Sequence, residues 1–148
     1  MRLYTFVNHY LSPIQHGIQT AHVVAELFNK YMTKEYYGTH LSNSLIEWST
    51  THKTIIVLNG GFSSNLMELE EKLGKNHPYP VASFREGENE LNNALTAVGI
   101  ILPKKIYSIN SKFYNFEEEV VLPLEGNYVK LNSDDIRISS IIRQHKLA

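Results

Sequence analysis

Four polar side chains on one predicted helix are the first in the chain placed to do chemistry together. Gln15, Gln19, His22 and Glu26 recur at three- and four-residue steps. At ~100° per residue they fall within an arc of roughly 60°. Two amides, an imidazole and a carboxylate on one stripe can position a ligand and relay a proton, or simply meet solvent. Arg85-Glu86, at a predicted strand exit, sets a guanidinium beside a carboxylate where sites are commonly built; a surface ion pair is the plainer use of the same two residues. Asn59-Gly60-Gly61 before a helix could cradle a phosphate, yet it lacks the lysine and spacing of a P-loop, and an ordinary turn is the plainer reading. His9, His16 and His22 suggest a metal by proximity. Helical geometry opposes it, because side chains six residues apart point about 120° away from each other. No metal and no cofactor is expected.

Composition narrows the chemistry further. The chain has 148 residues with 14 Lys+Arg against 15 Asp+Glu, one domain's length near charge balance. Such a balance gives no broad electrostatic grip on nucleic acid, although a small nucleotide or the terminal region of an RNA stays within reach. The absence of cysteine removes thiolate nucleophiles, disulfides and thiolate metal sites. With no signal-peptide or membrane-span run near Met1, the protein is expected in the cytoplasm and off the membrane.

The elements that must position these residues follow from periodicity and end signals. Residues 3–7 predict a strand, and Ser12-Pro13 starts a helix reaching Tyr31. On that helix Gly17, Ala21 and Ala25 form a ridge of small residues expected to let it approach a sheet or second helix closely. A short helix over 43–48 precedes a continuous apolar run at 54–58, which predicts a strand inside the sheet. Asn65 and Glu68 form a capping pattern for a helix over 66–73. Strands are predicted at 81–84 and 96–102. Residues 104–131, with Ile106-Tyr107 among their short apolar segments, suggest an accessory antiparallel arm. Its Tyr107, Phe113, Tyr114 and Phe116 lie near Lys104, Lys105 and Lys112, so stacking on bases is one use and packing on the body or a second subunit another. Ser133-Asp134-Asp135 begins a helix to about 146 that docks by its isoleucines.

Three of these pieces together resemble the type II peptidyl-tRNA hydrolase family. Gly17-Ile18-Gln19-Thr20-Ala21-His22 is similar to that family's first-helix signature, small-apolar-Gln-x-small-His. The strand at 54–58 leading into a helix is the second piece. Phe84-Arg85-Glu86, followed by Glu90-Leu91 and Leu95-Thr96-Ala97, is similar to the family's third-strand exit and the start of its fourth strand. The resemblance spans about residues 2–103. It implies an α/β domain in three layers, a four-stranded mixed sheet packed by helices, to which the arm and C-terminal helix are additions.

The resemblance also implies an activity and a distribution of roles. Hydrolysis of the ester between a peptide and a terminal ribose needs an activated water, an oxyanion donor and a grip on the nucleotide. Glu86 would be the base, standing where the family has an aspartate. Thr96 or Gln19 would donate to the oxyanion. His22 would orient a partner or bind phosphate when protonated. Gln15 occupies the family's lysine position with His16 beside it, and Glu90 falls near a family hydroxyl position. Gln15, His16, Arg85 and Glu90 are thus the candidates for substrate binding. The expected partner is a nucleotide or the end of a tRNA. Two alternatives stay open: a diverged protein of the same fold that binds, sequesters or cleaves a small or cyclic nucleotide, and an interaction protein that forms homo-oligomers through the 104–131 arm.

Overall fold

A computed structural model describes residues 1–74, 77–87, 92–109, 114–116 and 119–148, with backbone alone at 114–116, 119 and 120. The chain runs β1 (Arg2–Val7), α1 (Pro13–Tyr31), α2 (His40–Glu47), a π-helical turn (Trp48–His52), β2 (Ile55–Asn59), α3 (Ser63–Leu73), β3 (Val81–Arg85) and β4 (Leu95–Leu102). It continues through α4 (Lys104–Tyr107), β5 (Tyr114–Phe116), β6 (Glu119–Leu124), β7 (Asn127–Leu131) and α5 (Ser133–Arg143). The fold is α/β, and its main sheet has the order β2-β1-β4-β3. β1 pairs with β2 in parallel and with β4 antiparallel, and β3 pairs antiparallel with β4.

Period-two alternation on β1 divides the core into two layers. Tyr4 and Phe6 face α3 and α5, where they meet Leu66, Leu69 and Ile138. Leu3 and Val7 face the opposite way, against Val23 and Leu27 of α1 and Leu45 of α2. β4 is buried at all eight positions because it lies between two strands and beneath helices on both faces. Trp48 lies in the second layer and donates Nε1–H to the Thr54 carbonyl at 2.9 Å.

The apolar run expected inside the sheet forms β2, which is an edge strand. Its hydrophobicity answers to layers above and below rather than to strands on both sides. The C-terminal tail covers part of that edge: Asn59 N–H donates to the Lys146 carbonyl at 2.8 Å and Ala148 N–H to Val57 at 3.0 Å. α3 begins earlier than expected, since Asn65 accepts from the Phe62 N–H at 2.9 Å as the third residue of the helix rather than its cap.

α1 occupies the predicted span, capped by Ser12, but buries a different face. Gln19, Thr20, Val23, Leu27 and Tyr31 turn inward, whereas Gly17, Ala21 and Ala25 are exposed, and a methyl placed on Gly17 would meet nothing within 4 Å. The small residue permitting close approach is instead Gly99 on β4, where an added Cβ would stand 2.4 Å from Val23 Cγ1. Thr5 and Thr20 complete the contact, their hydroxyls 3.0 Å apart and buried. The sheet beneath the first half of α1 therefore offers polar partners, and the helix presents polar side chains to it.

The segment at 104–131 forms a three-stranded antiparallel sheet, β5-β6-β7. Ile106-Tyr107 is helical rather than part of that sheet, since Pro103 ends β4 and caps the turn that follows. Leu122 and Leu131 pack with Ile109 and Ile136 in a small separate core. α5 starts one residue from Asn132, whose side chain accepts from the Asp135 N–H at 2.8 Å. Asp135 is fully buried and accepts from Tyr79 Oη at 2.6 Å and Lys105 Nζ at 3.0 Å, pinning α5 to the body. Among the described residues no helix is long and apolar enough to cross a membrane.

Candidate functional site

The end of β3 and the start of β4 meet the first half of α1, and a register shift between Phe84 and Arg85 decides which side chains meet there. Phe84 pairs with Ala97 but Arg85 pairs with Leu95, so Thr96 is the extra residue of a β-bulge. Leu95 belongs to the layer under α3 while Ala97 faces α1. Strict alternation would send Thr96 to the α3 side; the bulge turns its hydroxyl toward α1.

There it joins a short hydrogen-bonded relay. Thr96 Oγ1 donates to Gln19 Oε1 at 2.9 Å, and Gln19 Nε2 donates to Glu86 Oε1 at 2.6 Å. The donor and acceptor inventory makes this orientation self-consistent, since an ionised carboxylate can only accept, so the amide nitrogen faces Glu86 and the amide oxygen is left for the hydroxyl. Thr96 and Gln19 are 2% and 5% exposed, whereas Glu86 is half-buried at the rim. The relay thus ends at solvent. Two groups stay available: the second Nε2–H of Gln19, and Glu86 Oε2, which has no hydrogen-bond partner among the described residues. The hydroxyl proton of Thr96 is already engaged, so Gln19 is the donor free for a developing oxyanion.

His22, one turn along α1, lies flat on Phe84 with ring centroids 4.1 Å apart and 9° between planes. The sequence places Phe84 in the strand-exit motif and assigns it no role at the site, although its two-residue spacing from Ala82, which packs under α1, marks its face. The stacked pair forms a wall beside the relay and holds the exposed imidazole in one orientation.

The substrate-binding candidates are placed differently. Arg85 Nη2 lies 2.5 Å from Glu70 Oε2 on α3, on the opposite side of β3 from the relay. Ordinary alternation along β3 accounts for this, because Ala82, Phe84 and Glu86 turn toward α1 and Arg85 turns to the other face. Gln15 turns back on its own helix end, its Oε1 accepting from Ser12 N–H at 2.9 Å in a capping box. His16 Nε2 is 3.3 Å from the Asn8 carbonyl and donates to it, bracing the loop between β1 and α1. Glu90 lies outside the described residues. Glu26, farther along the stripe, lines a separate hollow of about 240 Å³ with Lys30, Glu70 and Ser83. Among the described residues no group of three histidine, aspartate or glutamate side chains is placed to hold a metal.

Comparison with protein-family models and with curated proteins finds no significant match.

Proposed function

We propose that the protein is an esterase of the type II peptidyl-tRNA hydrolase kind, acting on a peptidyl-tRNA or a related nucleotide-containing substrate. The relay Thr96–Gln19–Glu86 carries this reading, because it joins three of the four residues that the resemblance marks for catalysis, from three separate elements, and ends in an available carboxylate oxygen. The strand order supports it as well, since residues 2–103 form the mixed four-stranded sheet that the resemblance implies.

In this mechanism Glu86 Oε2 takes a proton from water as the water oxygen bonds to the ester carbonyl carbon. Negative charge develops on the carbonyl oxygen, where the free Nε2–H of Gln19 donates to it. Thr96 fixes the rotation of that amide by holding its oxygen. The tetrahedral intermediate then collapses, the bond from carbon to the ribose oxygen breaks, and the proton on Glu86 passes to the departing ribose hydroxyl. The products are a peptide acid and a free terminal ribose.

The test is a substrate panel of peptidyl-tRNA, a short aminoacyl-nucleotide ester, and small and cyclic nucleotides. Cleavage of either ester is the expected result. Binding of a nucleotide with cleavage of nothing in the panel would replace the enzyme by the binding-protein alternative, which one observation favours: Gln15 stands at the family's lysine position and is turned back on its own helix end.

A further inference from the structure

Three exposed aromatic rings stand on the loops beside the relay with no part in the core. Tyr10 is 81% and Phe62 47% exposed. Their rings stack at 5.0 Å and 30°, and His9 meets Phe62 edge-on at 5.7 Å and 87°. Rings buried against a core need no explanation, whereas rings stacked in solvent with faces uncovered are a platform for another flat ring.

The platform is held firmly. Gly61 N–H donates to Asn59 Oδ1 at 2.9 Å, which leaves the Asn59 Nδ2 amide to donate to His9 Nδ1 at 2.8 Å. His9 is therefore the tautomer with its proton on Nε2. His9 N–H also donates to the Gly61 carbonyl at 2.8 Å, so the two loops that carry the rings are tied by backbone as well.

Beside it lies a hollow of about 360 Å³ lined by Asn59, Gly61, Asn65, Gln144, His145 and Lys146. Its lining contains amides, an imidazole and an ammonium but no carboxylate, whereas the hollow at Glu26 and Glu70 carries two. The N–H groups of Gly61 and Phe62 are already taken by Asn59 and Asn65, which leaves Lys146 as the cation for a phosphate. Aromatic faces, hydrogen-bonding edges and the Lys146 ammonium, which has no ion-pair partner among the described residues, match a nucleotide: base, base edge and phosphate.

The position relative to the relay is also suited. Asn8 N–H donates to the Thr96 carbonyl at 3.1 Å, and Tyr10 follows two residues on, at most about 7 Å of extended chain. We propose that the His9–Tyr10–Phe62 platform and the hollow beside it form a nucleobase-stacking subsite that seats the nucleotide part of the ligand. Its link to ester cleavage rests on the esterase reading; the binding itself does not.

The experiment uses the full chain and fluorescence anisotropy with a labelled hexa-adenylate RNA, an abasic strand of the same length, and AMP as competitor. The RNA should bind more tightly than the abasic strand. Tyr10→Ala and Phe62→Ala should each weaken it about 5- to 150-fold, equivalent to about 1–3 kcal/mol of base–aromatic stacking, with Tyr10→Phe restoring most of the affinity and Gly17→Ala, where the added methyl meets nothing within 4 Å, leaving it unchanged. Competition by AMP identifies a free nucleotide as sufficient; binding of RNA without competition identifies a strand end. Equal affinity for the abasic strand, no binding of either strand, or wild-type affinity in Tyr10→Ala and Phe62→Ala would overturn the subsite. Base-dependent binding without ester cleavage would leave the subsite standing and remove the esterase; cleavage lost in Glu86→Gln with binding indifferent to Tyr10 would do the reverse.

Discussion

Gly99→Ala tests which surfaces bring α1 onto the sheet. The new Cβ would sit 2.4 Å from Val23 Cγ1 and 3.4 Å from Leu3 Cδ1 and Thr5 Cγ2. Carbon atoms in contact prefer about 3.5–4.0 Å, so α1 or β4 must give by about 1 Å. Val23 cannot absorb this by bending, because a β-branched side chain on a helix has one strongly preferred rotamer. Overpacking of this kind costs about 1–3 kcal/mol. For a chain of this size each kcal/mol moves Tm by about 2–4 °C, so the midpoint should fall by about 2–12 °C in thermal melts followed by far-UV circular dichroism. Val23→Ala in the same background removes the clashing methyl and should return part of the loss. Gly17→Ala is the opposing control: nothing lies within 4 Å of the added methyl, so the better helix former should raise stability by about 0.4–1 kcal/mol. A Gly99→Ala protein melting with the wild type, or a Gly17→Ala protein melting well below it, would refute the assignment of the buried face.

Two other substitutions probe separate parts of the fold. Asp135→Ala leaves Tyr79 Oη, Lys105 Nζ and the Asn132 N–H without their shared acceptor, and the buried Tyr79 hydroxyl left unsatisfied costs about 1–3 kcal/mol; denaturant titration should show that loss, and a wild-type midpoint would contradict it. His77 has its pKa lowered below the ordinary 6.5, chiefly by burial. Its Nδ1 accepts from the Tyr79 N–H at 3.1 Å while Nε2 donates to the Leu73 carbonyl, so a proton on Nδ1 would face another donor. The folded pKa lies below the unfolded one, so the contribution is complete above about pH 6.5 and is lost as the pH falls through the folded value. Tm should drop between pH 7 and pH 5, less so in His77→Gln; equal pH profiles would refute the assignment.

Local signals foretold local structure well. Ser12, Pro13 and the following periodicity define α1 from Pro13 to Tyr31, because cap chemistry and helical spacing act within a few residues. They could not say which face turns inward, since Gln19 and Thr20 are buried only by virtue of Thr96 and Thr5 on distant strands. Hydrophobicity alone favours burying the small ridge of Gly17, Ala21 and Ala25; a buried polar group that finds its partner reverses that preference. β2 has the composition of an interior strand yet lies at the edge, because layers and the C-terminal tail cover it. At the site, the polar stripe brought Gln19 and His22 to notice, but the bulge that turns Thr96 toward α1 depends on the pairing of β3 with β4. No residue in either strand announces that shift. The rings of His9 and Tyr10 lie far from Phe62 in sequence, and only the packing of two loops unites them.

The most direct test of the relay is the ratio of kcat/KM for Glu86→Gln to that of the wild type on a peptidyl-tRNA or aminoacyl-nucleotide ester. Glutamine keeps the side chain's size and an oxygen for Gln19 Nε2 to donate to, 2.6 Å away in the wild type, but it cannot take a proton from water. Loss of a general base predicts a fall on the order of 10² to 10⁴, with the melting temperature little changed. Turnover by Glu86→Gln at the wild-type rate would contradict the assignment of the carboxylate and, with it, the proposed chemistry of the site.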